Sequence, residues 1–219
     1  MAEQIANKVK AHIRYKNAAG ENVPGVSTIV GQLAKPQLII WANRLGLQGI
    51  DSTKFRDDKA EIGSLAHSMI LADLKGEKYD TSAYSQQQIN QAETAFLNYL
   101  EWRKDKKMET GLVEQALVSE TYQYGGTPDW FGLLDGIPTL VDYKTGGIWK
   151  EAQIQVAGYA HLIQEKSEGT GAKRIIILGI PRNSEETFRQ VIFTDWTAQW
   201  EAFKALRQLY DNLKGIKEQ

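Results

Sequence analysis

The residues best suited to chemistry in this sequence are Asp142 and Lys144, which lie two positions apart in an apolar segment. If that segment is a β-strand, side chains at i and i+2 share a face, so the carboxylate and the ammonium point the same way. Val141 and Tyr143 then point to the opposite face. Taken alone, such a pair is more often a surface ion pair worth under about 1 kcal/mol than a reactive site.

A second carboxylate, Asp129, lies 13 positions before Asp142, on the preceding predicted strand. The dipeptide Asp135-Gly136 between the strands is a strong hairpin signal, and pairing around it places Asp129 opposite a residue near Asp142. Cross-strand neighbours on one face are about 5 Å apart, so the two carboxylates repel each other unless a cation joins them. Hard oxygen ligands suit Mg²⁺ or Mn²⁺, and Lys144 borders the same position.

Four further polar residues are candidates for the same site, and each has a structural alternative. Gln155 and Tyr159 share one face of a predicted helix, where they could reach phosphates or bases. The alternative is an amphipathic helix with an exposed Gln and a half-buried Tyr. His67 lies at the edge of an apolar helical stripe, where a lone histidine is more often structural than a ligand. Glu114, on an earlier predicted strand, is a carboxylate with a similar alternative.

Composition limits the chemistry further. The chain has 219 residues, enough for one substantial core, and no cysteine, which excludes disulfides, cysteine zinc sites and iron–sulfur clusters. A net charge of −1 counts mildly against a nucleic-acid partner, although charge can be local. No apolar run approaches the roughly 18 residues of a membrane helix, and we see no secretory signal, so we expect a cytoplasmic protein without a membrane partner.

Hydrophobic periodicity and turn residues divide the chain into predicted elements. We predict helices over residues 27–34 (capped by Ser27), 36–45, 54–74, from Ser82 or Ser85 to about 106, 148–165 and 195–213 (capped by Asp195). We predict strands over residues 8–15, 112–119, 123–134, 137–144, 173–180 and 188–193.

This order of elements predicts a single α/β domain over residues 1–219, with a central mixed β-sheet flanked by helices. The crossover from strand 137–144 over helix 148–165 to strand 173–180 looks like a βαβ unit. Residues 1–108 would form an N-terminal hairpin and a helical wall, and residues 109–215 the catalytic core.

Taken together, these motifs resemble the RecB-like branch of the PD-(D/E)XK nuclease superfamily, of the phage and bacterial exonuclease type. The resemblance spans residues 23–165, because a helix histidine, a Gly-x-x-Asp, an Asp-x-Lys and a Gln-x-x-x-Tyr occur in the order of that family. Here they are His67, Gly126 to Asp129, Asp142 to Lys144, and Gln155 to Tyr159. The resemblance implies a restriction-endonuclease-like core.

The resemblance also implies a role for each residue. Asp129 and Asp142 would bind a catalytic Mg²⁺ or Mn²⁺, together with the backbone carbonyl of Tyr143. His67 would complete or flank the metal shell, and Glu114 is the least secure carboxylate ligand. Lys144, Asp129 and Asp142 would be the catalytic residues, with the lysine orienting the attacking water. Gln155 and Tyr159 would bind the DNA backbone.

The leading hypothesis is therefore a metal-dependent DNA exonuclease that hydrolyses phosphodiester bonds by metal-activated water. The alternatives are a structure-specific endonuclease with the same site and a non-catalytic nucleic-acid-binding protein on the same fold. Without cysteine there is no iron–sulfur cluster, and without a G-x-x-x-x-G-K-[ST] loop the protein would be a stand-alone nuclease. Bacterial or phage origin, action in DNA recombination or repair, and a recombination or single-strand-annealing partner are further expectations; oligomeric state stays open.

Overall fold

The computed structural model describes residues 13–167 and 170–216. Nine strands and six helices lie within these ranges. In chain order they are β1 (Tyr15–Lys16), β2 (Asn22–Val23), α1 (Val26–Val30), α2 (Pro36–Leu47), α3 (Ser52–Lys75), α4 (Gln86–Arg103), β3 (Met108–Val113), β4 (Leu117–Ser119), β5 (Tyr124–Gly126), β6 (Trp130–Leu134), β7 (Ile137–Thr145), α5 (Lys150–Lys166), β8 (Arg174–Ile180), β9 (Arg189–Phe193) and α6 (Thr197–Gly215).

A five-stranded mixed sheet forms the centre of the fold, with the strand order β3-β6-β7-β8-β9. The pair β7–β8 is parallel and is connected through α5, whereas the other three pairs are antiparallel. Helices cover both faces of this sheet, which confirms the predicted α/β class and the βαβ connection.

Two hydrophobic cores lie on the two faces of the sheet, as the alternation along β7 requires. One core joins the sheet to α1, α5 and α6, and includes Val26, Ile29, Leu140, Tyr159, Ile175 and Phe203. The other joins it to α3 and α4, and includes Leu65, Met69, Tyr99, Trp130, Val141 and Tyr143. Adjacent residues of β7 therefore enter opposite cores.

The turn between β6 and β7 is the predicted two-residue hairpin. Asp135 and Gly136 both have positive φ, 54° and 79°, as a type I′ turn requires. The register pairs Trp130 with Val141. Extending it by one residue at the open end places Asp129 opposite Asp142, as predicted.

Two predicted strands were each too long. Residues 112–119 divide into β3 and β4 at Glu114, whose φ is +48°, and residues 123–134 divide into β5 and β6 at 127–129. Pro128 has no N–H to give to a strand ladder, so the strand ends there. Pairs β3–β6 and β4–β5 consequently belong to different sheets, with β4–β5 forming a two-stranded sheet of its own.

The N-terminal part also differs in detail from the prediction. Helix α1 begins at Val26 with Gly25 as its N-cap, so Ser27 is not the cap. Strand β1 pairs with β2 as a short hairpin, while residues 8–12 of the predicted strand lie outside the described residues.

Helix α4 begins after Ser85, which forms a capping box with Gln88. Asp195 accepts a hydrogen bond from the Thr197 N–H, although Trp196 holds the N-cap position of α6.

Within the described ranges, no helix is both long enough and apolar enough to cross a membrane.

Candidate active site

Asp142 and Lys144 form an ion pair on β7. The Lys144 Nζ atom lies 3.0 Å from Asp142 Oδ1 and 2.8 Å from Oδ2. Asp142 is 0% exposed, whereas the Lys144 side chain is 29% exposed. Both side chains lie on the same face of the strand, as predicted, while Val141 and Tyr143 enter the core beneath α3 and α4. The burial of Asp142 makes this pair unlike an ordinary surface ion pair.

Asp129 occupies the position where β6 would otherwise continue its pairing with β7. Its Oδ2 atom accepts a 2.9 Å hydrogen bond from the Tyr143 backbone N–H. In an extended strand, the N–H and the C=O of one residue point to the same edge. The Tyr143 carbonyl therefore points to the edge on which Asp129 lies, as its predicted role as a ligand requires.

His67 reaches the same carboxylate from α3. Its Nε2 atom lies 3.0 Å from Asp129 Oδ1. One turn earlier on the helix, Gly63 packs so closely on β7 that a Cβ atom there would lie 2.6 Å from the Thr145 hydroxyl. The glycine thus lets α3 lie directly on the end of β7, and the i+4 spacing then brings His67 to Asp129.

The two carboxyl groups have different electrostatic environments. Burial acts to raise the pKa of Asp129, but the adjacent His67, Lys144 and the Tyr143 N–H outweigh it and lower that pKa to about 2. Burial raises the pKa of Asp142; Lys144 opposes this effect and Asp129 reinforces it. Burial would lower the pKa of Lys144, but Asp142 and Asp129 raise it. Lys144 is therefore held as a cation.

The candidate ligands fit a metal site that water and substrate complete better than a site made of protein ligands alone. Among the described residues, no three His, Asp or Glu side chains already converge as a metal-binding group. Mg²⁺, however, is usually held by only one or two carboxylates together with water and substrate phosphates. Asp142 Oδ2 is buried without a hydrogen bond of good geometry, despite its short distance to Lys144. Neighbouring ligands about 2.1 Å from an octahedral ion lie about 3 Å apart, which matches the separation of His67 and Asp129.

A pocket of about 450 Å³ opens over this cluster, and cations surround it. His67, Asp129, Tyr143 and Lys144 line one part of the pocket, and the other part is lined by residues that sequence reasoning missed: Lys59, Ser64 and Arg182.

Arg182 is fixed by its neighbours: its Nε atom donates to both carboxylate oxygens of Glu186 at 3.1 Å. Topology offered a signal for this residue. Parallel strands β7 and β8 end together, with Thr145 opposite Ile180, so the residues after β8 lie beside the end of β7.

Gln155 and Tyr159 connect α5 to the first helix. The Gln155 Nε2 atom donates to the Ser27 hydroxyl at 3.0 Å and to the Tyr159 hydroxyl at 3.1 Å. Tyr159 is buried, and its ring lies where a side chain of Gly126 would be, 2.7 Å from an ideal Cβ. Burial raises the pKa of Tyr159 well above its ordinary value. The tyrosine thus fixes the amide of Gln155, which lines a second cavity that shares Lys144 with the pocket.

Glu114 contacts Asp129 through its backbone. Its N–H donates to the Asp129 carbonyl at 3.0 Å, at the bend that ends β3. Its carboxylate lies 3.7 Å from the Lys75 ammonium, and Glu114 is not among the residues that line the pocket.

Comparisons with known proteins give low similarity. No family model and no curated protein matches the chain. Among solved structures, SSO0001 aligns with a TM-score of 0.46 at 12% identity, over 93% of this chain and 79% of that one. A protein of Eubacterium rectale, provisionally named an exonuclease, aligns with a TM-score of 0.47 at 14% identity, over 69% and 66%. The alkaline exonuclease LHK-Exo of Laribacter hongkongensis, crystallised with dAMP, aligns with a TM-score of 0.36 at 13% identity, over 88% of each chain.

Proposed function

We propose that this protein is a metal-dependent DNA exonuclease that belongs to the RecB-like branch of the PD-(D/E)XK nucleases. One observation carries the proposal: Asp129 with His67, and Asp142 with Lys144, meet at the open end of β6 and β7. Phosphodiester hydrolysis needs neutralisation of phosphate charge and a positioned nucleophile. A buried acid with an adjacent lysine, next to a half-buried acid that lines an open pocket, is suited to both.

Asp129, Asp142 and the Tyr143 carbonyl would hold Mg²⁺ or Mn²⁺, with His67 completing or flanking this set. When bound, the metal ion would supply an activated water and stabilise charge on the phosphate oxygens. Asp129, with its pKa lowered to about 2, is an anion at neutral pH and so is ready to bind a cation. Glu114 would take part only if its carboxylate moved away from Lys75.

Lys144 would act as a hydrogen-bond donor and a fixed positive charge. Its raised pKa keeps it protonated, so it would not accept the proton of the water. Instead, its partly exposed ammonium would orient the water and stabilise the negative charge that develops on the phosphate. Removal of one such preorganised donor typically reduces kcat by about 10² to 10³.

Cations and amides around the pocket would hold the flanking phosphates. Lys59 and Arg182 line the pocket together with His67, and Gln155 lines the adjoining cavity that shares Lys144 with it. Arg182 is the better placed of the two cations, because Glu186 already fixes its guanidinium. Tyr159 would act on DNA through Gln155, whose amide it orients.

A non-catalytic nucleic-acid-binding protein would have no need for this arrangement. Both acids and Lys144 are present, Asp142 is in contact with Lys144, and Asp129 and Lys144 line an open pocket. We expect the enzyme to act on DNA in the cytoplasm of a bacterium or a phage-infected cell, in DNA recombination or repair, with a recombination or single-strand-annealing protein as a partner.

Two DNA forms distinguish the exonuclease from a structure-specific endonuclease. End-labelled linear DNA and covalently closed circular DNA are incubated with the protein, with and without Mn²⁺. We expect metal-dependent loss of the linear DNA while the circles persist. Cutting of the circles would indicate an endonuclease, and survival of both forms under all metal conditions would overturn the proposal.

A further inference from the structure

A second groove, of about 820 Å³, begins where the candidate active site ends. It lies between the chain around α2 and the start of α5, and its lining is largely apolar. Its apolar lining includes Val30, Ala34, Pro36, Leu38, Trp41 and Trp149. Lys144 lines both this groove and the pocket over the acids, so the two cavities meet at that residue.

Trp149 is the most exposed aromatic side chain of the groove, with 70% of the residue accessible. It is nevertheless held in place, because its indole ring lies over Gly147. A Cβ atom at Gly147 would lie 3.0 Å from two ring carbons, so a larger residue there would push the ring away from this position. A large aromatic surface that is both exposed and positioned is suited to a flat apolar ligand.

The charges at the rim of the groove favour a polyanion. Lys35, Lys144 and Lys150 line it, and among the described residues of its lining the only acid is Glu151, which lies 3.9 Å from Lys35. The described lining therefore carries more positive than negative charge.

We propose that this groove binds an unpaired nucleobase of the DNA strand whose phosphate lies in the candidate active site, with the base stacked on Trp149. The inference rests on the proposed function and adds a substrate class to it, namely DNA with a single-stranded or frayed end. A nucleotide joins an anionic phosphate to a flat apolar base, and the two cavities that meet at Lys144 offer one environment for each. A fully paired end would have to lose a base pair before its base could enter.

Continuity with the phosphate pocket favours DNA over a protein ligand. The apolar side chains of α2 that point away from the groove, such as Ile39, could contact another protein without involving Trp149. The groove itself, in contrast, opens onto Lys144 and Gln155. A second copy of the chain seated in it would cover the site that the substrate must reach.

The test compares binding of two short single-stranded oligonucleotides of equal length, one with bases and one abasic, in EDTA so that no metal-dependent cleavage occurs. Fluorescence anisotropy gives the two dissociation constants. Stacking on one aromatic residue corresponds to about 5- to 150-fold in affinity. We expect the parent to prefer the base-bearing strand by at least about fivefold, and Trp149→Ala to lose most of that preference.

Two variants serve as matched controls. Trp149→Phe keeps an aromatic ring and should retain part of the preference. Tyr79→Ala removes another exposed aromatic side chain, 41% accessible and outside the groove, and should bind both strands as the parent does. Because Trp149 is largely exposed, its alanine variant should fold, and a thermal melt by circular dichroism verifies this.

An unchanged preference for the base-bearing strand in Trp149→Ala would overturn the inference, as would an equal loss of that preference in Tyr79→Ala. A third contradicting result is a change of oligomeric state in Trp149→Ala, measured by light scattering, without a change in oligonucleotide affinity. The last result would assign the groove to contacts between copies of the chain. Failure of the proposed function is recorded separately, as absence of DNA cleavage by the parent in Mn²⁺. The ratio of the two dissociation constants tests base binding in the groove whether or not the parent cleaves DNA.

Discussion

Replacing Lys144 with methionine should destabilise the protein through Asp142. The substitution keeps much of the side-chain volume but removes the ammonium that lies 2.8 Å and 3.0 Å from the two oxygens of a carboxylate that is 0% exposed. Removal of one partner from a buried ion pair costs about 3–5 kcal/mol, because the remaining charge stays buried without compensation. Since Lys144 is itself 29% exposed, we expect the lower end of that range, about 3 kcal/mol.

Mg²⁺ should reverse part of this loss. If a cation binds beside Asp142, it takes over the role of the missing ammonium, and it is no longer repelled by Lys144. Two charges 4 Å apart interact by about 1 kcal/mol in bulk water and by more near a protein. The difference in free energy of unfolding between parent and Lys144→Met should therefore decrease by at least about 1 kcal/mol in Mg²⁺ compared with EDTA.

Equilibrium urea denaturation of parent and variant, in EDTA and in Mg²⁺, measures both effects. A loss of about 3 kcal/mol also corresponds to a melting temperature lower by roughly 6–12 °C for a chain of this size. The double variant K144M/D142N removes both charges and should recover most of the stability in EDTA. A loss under about 0.5 kcal/mol for Lys144→Met would contradict the buried pair. If the difference in free energy of unfolding between parent and Lys144→Met is the same in Mg²⁺ as in EDTA, no cation binds beside Asp142.

Two further predictions concern the elements that position the site. His67→Ala should raise the Mg²⁺ or Mn²⁺ concentration for half-maximal cleavage by about tenfold, since such a change in a metal shell typically costs 10- to 100-fold; an unchanged titration would remove His67 from the site. Gly132→Ala should lower the free energy of unfolding by about 2 kcal/mol or more, because the new Cβ would lie 2.1 Å from the Glu109 carbonyl oxygen and would separate β3 from β6. In Gly46→Ala, by contrast, nothing lies within 4 Å of the new Cβ atom and the position is in the last turn of α2, so stability should stay the same or rise by up to about 0.5 kcal/mol. Equal melting curves for the two variants would refute the packing argument.

Local rules were sufficient to predict the centre of the fold. The alternation along β7 and the Asp135-Gly136 turn together determine which residues of β6 and β7 face each other, because a two-residue turn fixes the register. Helix α3 was also predictable, since an αL glycine, Gly76, ends it. These signals depend only on residues that are close in sequence.

The strand breaks needed tertiary information. Strand β5 is held by the N-terminal part of the described chain: the Gly125 N–H donates to the Pro24 carbonyl at 3.0 Å, and a Cβ atom at Gly125 would lie 2.2 Å from the Tyr15 ring. Contacts between residues so far apart in sequence leave no local pattern. Pro128 was the one local sign of the break.

The candidate site was predictable to a similar extent. Asp129, Asp142, Lys144 and His67 come together as their motif order implied. The cations on the other side of the pocket were missed, because a lysine on a helix and an arginine after a strand resemble solvated surface charge in the sequence. The packing of Tyr159 against Gly126 was missed for the same reason that β5 was, since it joins residues that no local pattern connects.

The most direct test of the central claim is a cleavage assay on end-labelled linear DNA with Mn²⁺, Mg²⁺ or EDTA. The parent should release short products only with a divalent metal ion. Asp142→Ala and Lys144→Ala should each be inactive while still folded by circular dichroism. Asp80→Ala removes an exposed carboxylate between α3 and α4 that does not line the pocket, and it should cleave like the parent. If purified Asp142→Ala and Lys144→Ala degrade the DNA as fast as the parent, the assignment of this site is wrong.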